Sequence, residues 1–497
     1  MRTTTLDGWL FDVDEFGSVI VLWVYDAAGK LYRLQHEFQT PVFVHGERAA
    51  LIRLAADLSR RKLITGVGWQ RKREFWSGNK LEVMQLNVAD ASHLPRLRQL
   101  AAAQTEFIYF NLSLPPAQYY LCLTGLFPLC QLTCTVDRYG YVQEAHALNS
   151  PWEMDFALPP LRVMRMRGER MQPLSAHSRL IVATPQTETV FSFSEGARLI
   201  HRLNALVAEY DPDLILSERG DTVLFPALLK TAQQHKLTLQ FDRDPLRTDR
   251  RIETEGRTYF SYGKVIYKGP SYPLLGRWHI DRANSFAFHE TDLDGVLELA
   301  RLSKMPIQRS ARRSAGTAMT GMELDQAITR GILVPWQKSE PERFKTALQL
   351  LKTDKGGLTF QPPIGAFAHV AEIDFASMYP SLMVRHNLSA ETVLCACCQN
   401  ASVPEAGYNV CEKRRGLIPL TLEPLIARRR ILKQMLKATT DEQLRTVYEA
   451  RRAAIKWMLI SCFGYLGYKN AVYGRIEAHE AVTAWGRETL LRAKEIV

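Results

Sequence analysis

Hydrophobic and polar positions change rhythm several times along this chain, and each change predicts a different kind of element. Up to about residue 155, short β-branched and aromatic runs such as Ser18 to Tyr25 and Tyr119 to Cys122 alternate with Gly, Pro and Asp turns, which predicts a β-rich domain. From about 156 to 300 the strand-like Leu180 to Ala183 and Leu214 to Leu216 alternate with the helical stretches Glu195 to Tyr210 and Leu224 to His235. That alternation predicts a βαβ-type layer around a mixed sheet, a second domain. Between Ile307 and Met322, the polar run Gln308 to Gly316 reads as an exposed loop or connector. Its Arg309, Arg312 and Arg313 either touch a phosphate backbone or are simply solvated.

Further on, Val370-Ala371-Glu372-Ile373 predicts a strand that leads into Asp374-Phe375-Ala376-Ser377-Met378-Tyr379-Pro380-Ser381. A carboxylate at a strand end, then a tight turn and a Pro suited to the first helical position, sets oxygen ligands beside free backbone N–H groups. Such a place suits a metal-bound triphosphate; alone, a strand-terminal Asp serves equally as a turn or helix cap. Leu422, Leu425, Ile426, Leu432 and Leu436 then recur at helical spacing, with Arg428, Arg429, Arg430, Lys433 and Lys437 between them. Arg429 and Lys433 share one face, and their mutual repulsion is relieved where an anion lies against them. A break at Ala438 to Asp441 follows, with Thr440 and Gln443 spaced as a capping box for a second helix through Lys456, so the pair reads as an antiparallel hairpin. Lys456 to Tyr468 joins a cation and aromatics to Gly464 and Gly467. This is either a surface for stacking on a base or a core helix ending in a glycine cap.

Composition changes this picture in two ways. At 497 residues the chain exceeds one hydrophobic core, so several domains are expected; 46% hydrophobic and 23% charged residues exclude collagen-like, mucin-like and disordered classes. The net charge of +11 suits a polyanion-binding surface, or else serves solubility. No apolar run approaches the roughly 18 residues that span a bilayer, and the N-terminus lacks a signal-peptide layout. A cytoplasmic, nucleoid-associated protein without membrane contact is therefore expected. Eight cysteines in a chain this long do not make a disulfide framework and are expected as reduced thiols. Cys395, Cys397, Cys398 and Cys411 cluster closely enough to bind a structural Zn²⁺ tetrahedrally, although their spacing is less regular than paired CxxC knuckles.

The three pieces together carry a resemblance. Asp374 to Ser381 resembles motif A of family-B DNA polymerases, an Asp followed by Ser-Leu-Tyr-Pro-Ser, with Met378 in place of Leu. The basic hairpin resembles the fingers of these enzymes, and Lys456 to Gly464 resembles motif B, a Lys followed by Asn-Ser-x-Tyr-Gly. Similarity continues through Glu477 to Arg487. The resemblance implies an α/β and α+β multidomain fold. Its parts would be a β-rich N-terminal domain (1–155), an RNase H-like exonuclease-type domain (156–305), a connector and the first part of an incomplete palm (306–415), helical-hairpin fingers (416–475) and a palm helix (476–497). It implies template-directed DNA synthesis from dNTPs on primer–template DNA with Mg²⁺ or Mn²⁺. Asp374 would be the catalytic metal ligand, with the Phe375 carbonyl beside it. Ser377 and the Met378 amide would contact the triphosphate, Tyr379 would exclude a ribose 2′-OH, and Arg429, Lys433 and Lys456 would grip the β- and γ-phosphates. Phe463 and Gly464 would line the nascent base pair.

Four departures qualify what the resemblance implies. Ile460 and Phe463 replace the Asn and Tyr of motif B. Motif C, a hairpin with the second catalytic Asp, is expected soon after residue 497. A C-terminal fragment or subunit carrying motif C and the thumb is thus an expected partner, and the chain alone is expected to be nearly inactive. A polymerase-derived, non-catalytic DNA-binding scaffold is the alternative. In the exonuclease-like part, Met166-Arg167-Gly168-Glu169 puts Arg167 where the first metal-binding Asp belongs. Asp221 and Asp292 match the other acidic positions only loosely, so the exonuclease site is expected to be degenerate.

Overall fold

The computed structural model describes residues 3–169, 178–244, 256–261, 264–338 and 341–497, and the chain divides into two compact units. Each is built from two separated stretches of sequence. Residues 1–37 and 124–314 form one, and residues 38–123 and 315–497 form the other.

The first unit contains a five-stranded antiparallel sheet in the order Leu31–Glu37, Val19–Asp26, Thr3–Phe16, Gln131–Asp137, Val142–Ala147. Its second sheet runs Glu188–Ser192, Arg179–Ala183, Val163–Gly168, Leu214–Ser217, Trp278–Asp281. The last three strands are mutually parallel and the others antiparallel, so the sheet is mixed, as the alternating pattern predicted. Leu199, Leu203 and Val207 fall at intervals of four on the helix Ala197–Tyr210, making the stripe that meets Ile215 and Phe225 in the core. The helix stops where Asp211 turns left-handed at φ 46°. Asp211 also accepts from Arg243 and Arg277, at 2.8 and 2.7 Å.

The expected loop around residue 310 is instead helical, over Ile307–Ala311 and again from Ala315 to Thr329. Gln308 and Arg312 have partners inside the fold. Gln308 Oε1 accepts from the Leu274 and His279 amides, both at 2.9 Å, while Nε2 donates to the Leu274 carbonyl at 2.7 Å. Such bonds remove the cost of burying an amide, so polarity here does not signal exposure.

In the second unit a five-stranded sheet has the order Ile332–Leu333, Ile64–Glu74, Lys80–Val88, Thr40–His45, Ile108–Phe110. Leu51, Leu54 and Leu58 of one helix and Leu94, Leu97 and Ala101 of another pack with its Val42, Val44, Met84 and Leu86. The predicted strand at Tyr119 to Cys122 belongs to the helix Pro116–Thr124. Pro116 is pre-set for the first helical position, and all four residues are buried, so their aromatic character reflects burial rather than extension. The remaining part is a packed set of helices: Met378–Arg385, Leu417–Ala438, Glu442–Gly467 and Ile476–Ile496, with Ala315–Thr329 against the middle pair.

The two long helices pack on each other as the predicted hairpin. Their boundary differs by one residue from the expected capping box. Asp441, rather than Thr440, is the N-cap, its carboxylate accepting from Gln443 N at 2.8 Å and Leu444 N at 3.2 Å. A full negative charge at a helix N-terminus outcompetes a neighbouring hydroxyl. Val370 to Ile373 forms no ladder with any described residue, and Val370 and Ile373 are 77% and 67% exposed. Among the described residues, no helix is long and apolar enough to cross a membrane.

Candidate nucleotide and metal site

Asp374 ends the unpaired stretch with its side chain exposed. Three residues later Ser377 takes a left-handed conformation (φ 52°, ψ 53°) and opens the helix Met378–Arg385. A non-glycine residue holds this conformation only where its surroundings impose it. No side chain caps this helix end, so the Met378 and Tyr379 amides have no acceptor within the helix and present its positive pole. Pro380 stands at the third helical position rather than the first and costs no amide the helix needs.

Arg429 reaches this turn from the Leu417–Ala438 helix and donates Nη1 to Ser377 Oγ at 2.9 Å. Its Nε is buried without a hydrogen-bond partner. Burial, followed by the charge of Arg452, pushes the Arg429 pKa below its ordinary value, and Asp374 opposes that shift. A partly desolvated cation short of acceptors is stabilised by any anion that enters beside it. Lys433, one turn further, and Lys456, on the second helix, are exposed and add positive charge along the hairpin. Arg452, one turn before Lys456, escaped the sequence reading; it pairs with Glu449.

Tyr379 and Phe463 meet with ring centroids 4.6 Å apart. On its other side Phe463 stacks on His479 at 4.0 Å, and a Cβ at Gly486 would lie 2.9 Å from Tyr379 Cε1. The Tyr379 ring is thus wedged between two helices, Glu442–Gly467 and Ile476–Ile496. His479 and Gly486 lie in the Glu477 to Arg487 stretch of similarity, the one signal that could have singled them out. Gly464 continues the Glu442–Gly467 helix directly after Phe463, so this stretch is helix interior. Phe375, beside Asp374, is half-buried.

In the other unit, Asp221 is fully buried beneath Arg312. The guanidinium donates Nη2 to Oδ1 at 3.1 Å and Nε to Oδ2 at 3.2 Å. The Tyr272 amide and Asn284 Nδ2 fill further acceptor sites at 2.8 and 3.0 Å. Although burial raises the Asp221 pKa, Arg312 and His279 hold it below the ordinary value. Asp281, which the sequence reading passed over, accepts from the Asp221 amide at 3.0 Å. Burial and the Asp221 charge push the Asp281 carboxyl up to about 6. Asp292 stands at a kink (φ 51°, ψ −170°), its carboxylate accepting from the Leu293 amide. Arg167 pairs with Glu188 at 3.7 Å and Glu169 with Arg179 at 3.4 Å, all partly exposed. A guanidinium therefore occupies the acceptor sites that a cation at Asp221 would need.

The four clustered cysteines come together, with all their Sγ atoms within 4.8 Å of one another.

The model of DNA polymerase family B matches residues 305–497, which include the Asp374 turn, the basic hairpin and the Tyr379–Phe463 contact. The chain is 38% identical over 202 residues to DNA polymerase 2 of Saccharolobus solfataricus, covering 41% of this chain and 30% of that protein. It is 25% identical over 460 residues to DNA polymerase 1 of Pyrococcus abyssi, covering 83% and 58%. Its fold is similar to the family B DNA polymerase of the hyperthermophilic archaeon Pyrobaculum calidifontis, with a TM-score of 0.73 and 21% identity over 98% of this chain and 72% of that one. Residues 305–497 thus match DNA polymerase family B, and the longer relatives in which most of the chain finds a counterpart are DNA polymerases. The chain spans less than two thirds of the length of these first two relatives.

Proposed function

We propose that the chain is the nucleotide-binding part of a template-directed DNA polymerase, which transfers deoxynucleotides from dNTPs to the 3′-OH of a primer on template DNA. The observation that carries this reading is the junction of Arg429 and Ser377 beside Asp374, with Tyr379 wedged against Phe463 one turn away. The Met378 amide and the Ser377 hydroxyl meet the triphosphate, and Arg429, Lys433 and Lys456 neutralise its β and γ groups. Tyr379 closes the space a ribose 2′-OH would need, and Phe463 and Gly464 face the new base pair. Asp374 and the Phe375 carbonyl would hold Mg²⁺ or Mn²⁺; a bound divalent ion supplies activation of the primer hydroxyl and neutralisation of the leaving pyrophosphate.

Two further parts belong to the reading. The unpaired, strand-like Val370 to Ile373 supports a palm completed by a hairpin that pairs with it and brings a second carboxylate, in this polypeptide or another. The Arg312 guanidinium on Asp221 supports an exonuclease-like domain without 3′–5′ cleavage.

Primer extension by the chain alone, and with any polypeptide encoded directly after Val497, tests this. Incorporation that falls by at least about a hundredfold on Asp374→Asn is expected, since losing a metal ligand costs more than losing its supporting bond. DNA binding without synthesis under either condition would replace this reading with that of a scaffold.

A further inference from the structure

We propose that Cys395, Cys397, Cys398 and Cys411 hold one zinc ion, and that this ion fastens the start of the Leu417–Ala438 helix. The separations carry the first half. Cys397 Sγ lies 3.7 Å from Cys395 Sγ, 3.8 Å from Cys398 Sγ and 3.6 Å from Cys411 Sγ. With zinc–sulfur bonds of about 2.3 Å, the edge of a tetrahedral site is about 3.8 Å. A disulfide needs about 2.05 Å, so none of these pairs is bonded. A cluster of several metal ions would hold its cysteines further apart, and this space admits a single ion. Four thiolates in tetrahedral array suit zinc, with iron as the competing occupant.

The backbone around the cluster is organised as a ligand holder. Leu394 N donates to Asn409 O at 2.8 Å and Cys411 N to Thr392 O at 2.9 Å, which lays the two ligand-bearing segments side by side. Asn409 Nδ2 bridges the Cys395 and Cys398 carbonyls, at 2.8 and 2.9 Å. It also approaches Cys395 Sγ at 3.5 Å, and the Glu412 amide approaches Cys398 Sγ at 3.4 Å. N–H donors aimed at sulfur are the supporting bonds that thiolate ligands use. Cys122, Cys130, Cys134 and Cys462 are instead buried and lie outside this cluster.

Both ligand segments run directly into the helix start. Upstream of Cys395, Glu391 Oε1 accepts from Leu417 N at 2.6 Å and Ser389 Oγ from Ile418 N at 3.3 Å, satisfying the first amides of the helix. Downstream of Cys411, Asn387 Nδ2 holds the Cys411 and Arg414 carbonyls at 2.8 and 2.9 Å, and its Oδ1 accepts from Gly416 N at 2.8 Å. An ion joining residues 395 and 411 therefore fixes both arms of the turn that aims the helix carrying Arg429.

The test uses the full chain, purified without chelator and dialysed against metal-free buffer. Elemental analysis should find about one zinc per chain, with the four clustered thiols protected from a thiol reagent. Cys397→Ser and Cys411→Ser should weaken zinc binding by at least about a hundredfold. Cys398→His should retain it, because imidazole also ligates zinc, and this variant separates ligand loss from misfolding. Removing the ion should accelerate hydrogen exchange of the Leu417 to Leu422 amides and leave the Ile64–Glu74 strand unchanged. A folded chain free of metal, iron in place of zinc, or zinc retained by both serine variants would overturn the site. Unchanged exchange at Leu417 to Leu422 would overturn the fastening. None of these readouts depends on DNA synthesis.

Discussion

Replacing Arg312 with Met asks what the guanidinium does at Asp221. Both side chains are withdrawn from water, at 8% and 0% exposure. Removing one member of a buried pair costs roughly 3–5 kcal/mol, because the other charge is left without its counterion. Two neutral donors remain on the carboxylate, from Tyr272 and Asn284, which favours the lower end. The His279 carbonyl loses its 2.8 Å bond to Arg312 Nη1, adding about 1 kcal/mol. The expected loss at pH 7 is thus about 4 kcal/mol. The pH dependence has a definite sign. In the native protein Asp221 is held below its ordinary pKa, so its contribution is present above about pH 4 and lost as pH falls through the folded value. Without Arg312, burial dominates and raises the carboxyl, so the deficit should shrink as pH drops from 7 towards 5. Urea-dependent hydrogen exchange of peptides spanning Leu214–Ser217 and Trp278–Asp281 reads this unit alone. Adding Asp221→Asn should restore most of the stability. A loss below about 1 kcal/mol, or a double variant no more stable than Arg312→Met, would refute the argument.

Two further predictions concern the other unit. Tyr379→Ala removes the ring wedged between Phe463 and Gly486, and ribonucleotide insertion relative to deoxynucleotide insertion should rise at least roughly tenfold in single-nucleotide assays; an unchanged ratio would show that another group bounds the sugar. Glu323 is pushed up to about 8 by burial and then by the charge of Glu391. It keeps its proton where the unfolded chain has lost it, so stability should fall with rising pH by up to about 1.4 kcal/mol per unit from about pH 4.5 to 8, then level off. Glu323→Gln should flatten that slope, and equal urea midpoint shifts between pH 6 and 8 in both proteins would contradict it.

The parts of the fold that were legible are those whose signal is local. The basic hairpin announced itself because Leu422, Leu425, Leu432 and Leu436 repeat at helical spacing and its cations occupy the intervening positions. The mixed sheet was legible from alternating strand and helix patterns. Arg312 was not, since its partner lies 91 positions away and a paired buried arginine has the same composition as a solvated one. Asp441 and Thr440 are adjacent polar residues, and only the helix register decides which of them caps. Val370 to Ile373 has strand composition, yet a strand also requires a neighbour to complete its hydrogen bonds. Asp281 was passed over because it ends a strand 60 positions from Asp221, and sequence distance hides that proximity.

The interleaved connectivity has a consequence for synthesis of the chain. Thr3–Phe16 pairs along one side with Val19–Asp26, which emerges at once, and along the other with Gln131–Asp137, which emerges about a hundred residues later. At ribosomal rates of roughly 5–20 residues per second, that second side waits some 5 to 20 s with its amides and carbonyls bare. Meanwhile the strands from Thr40 to Phe110 are released and can assemble their own sheet. The nascent hairpin at the N-terminus is thus a sticky end during translation, and slowing the ribosome between residues 38 and 130 should raise the fraction of chains lost to aggregation.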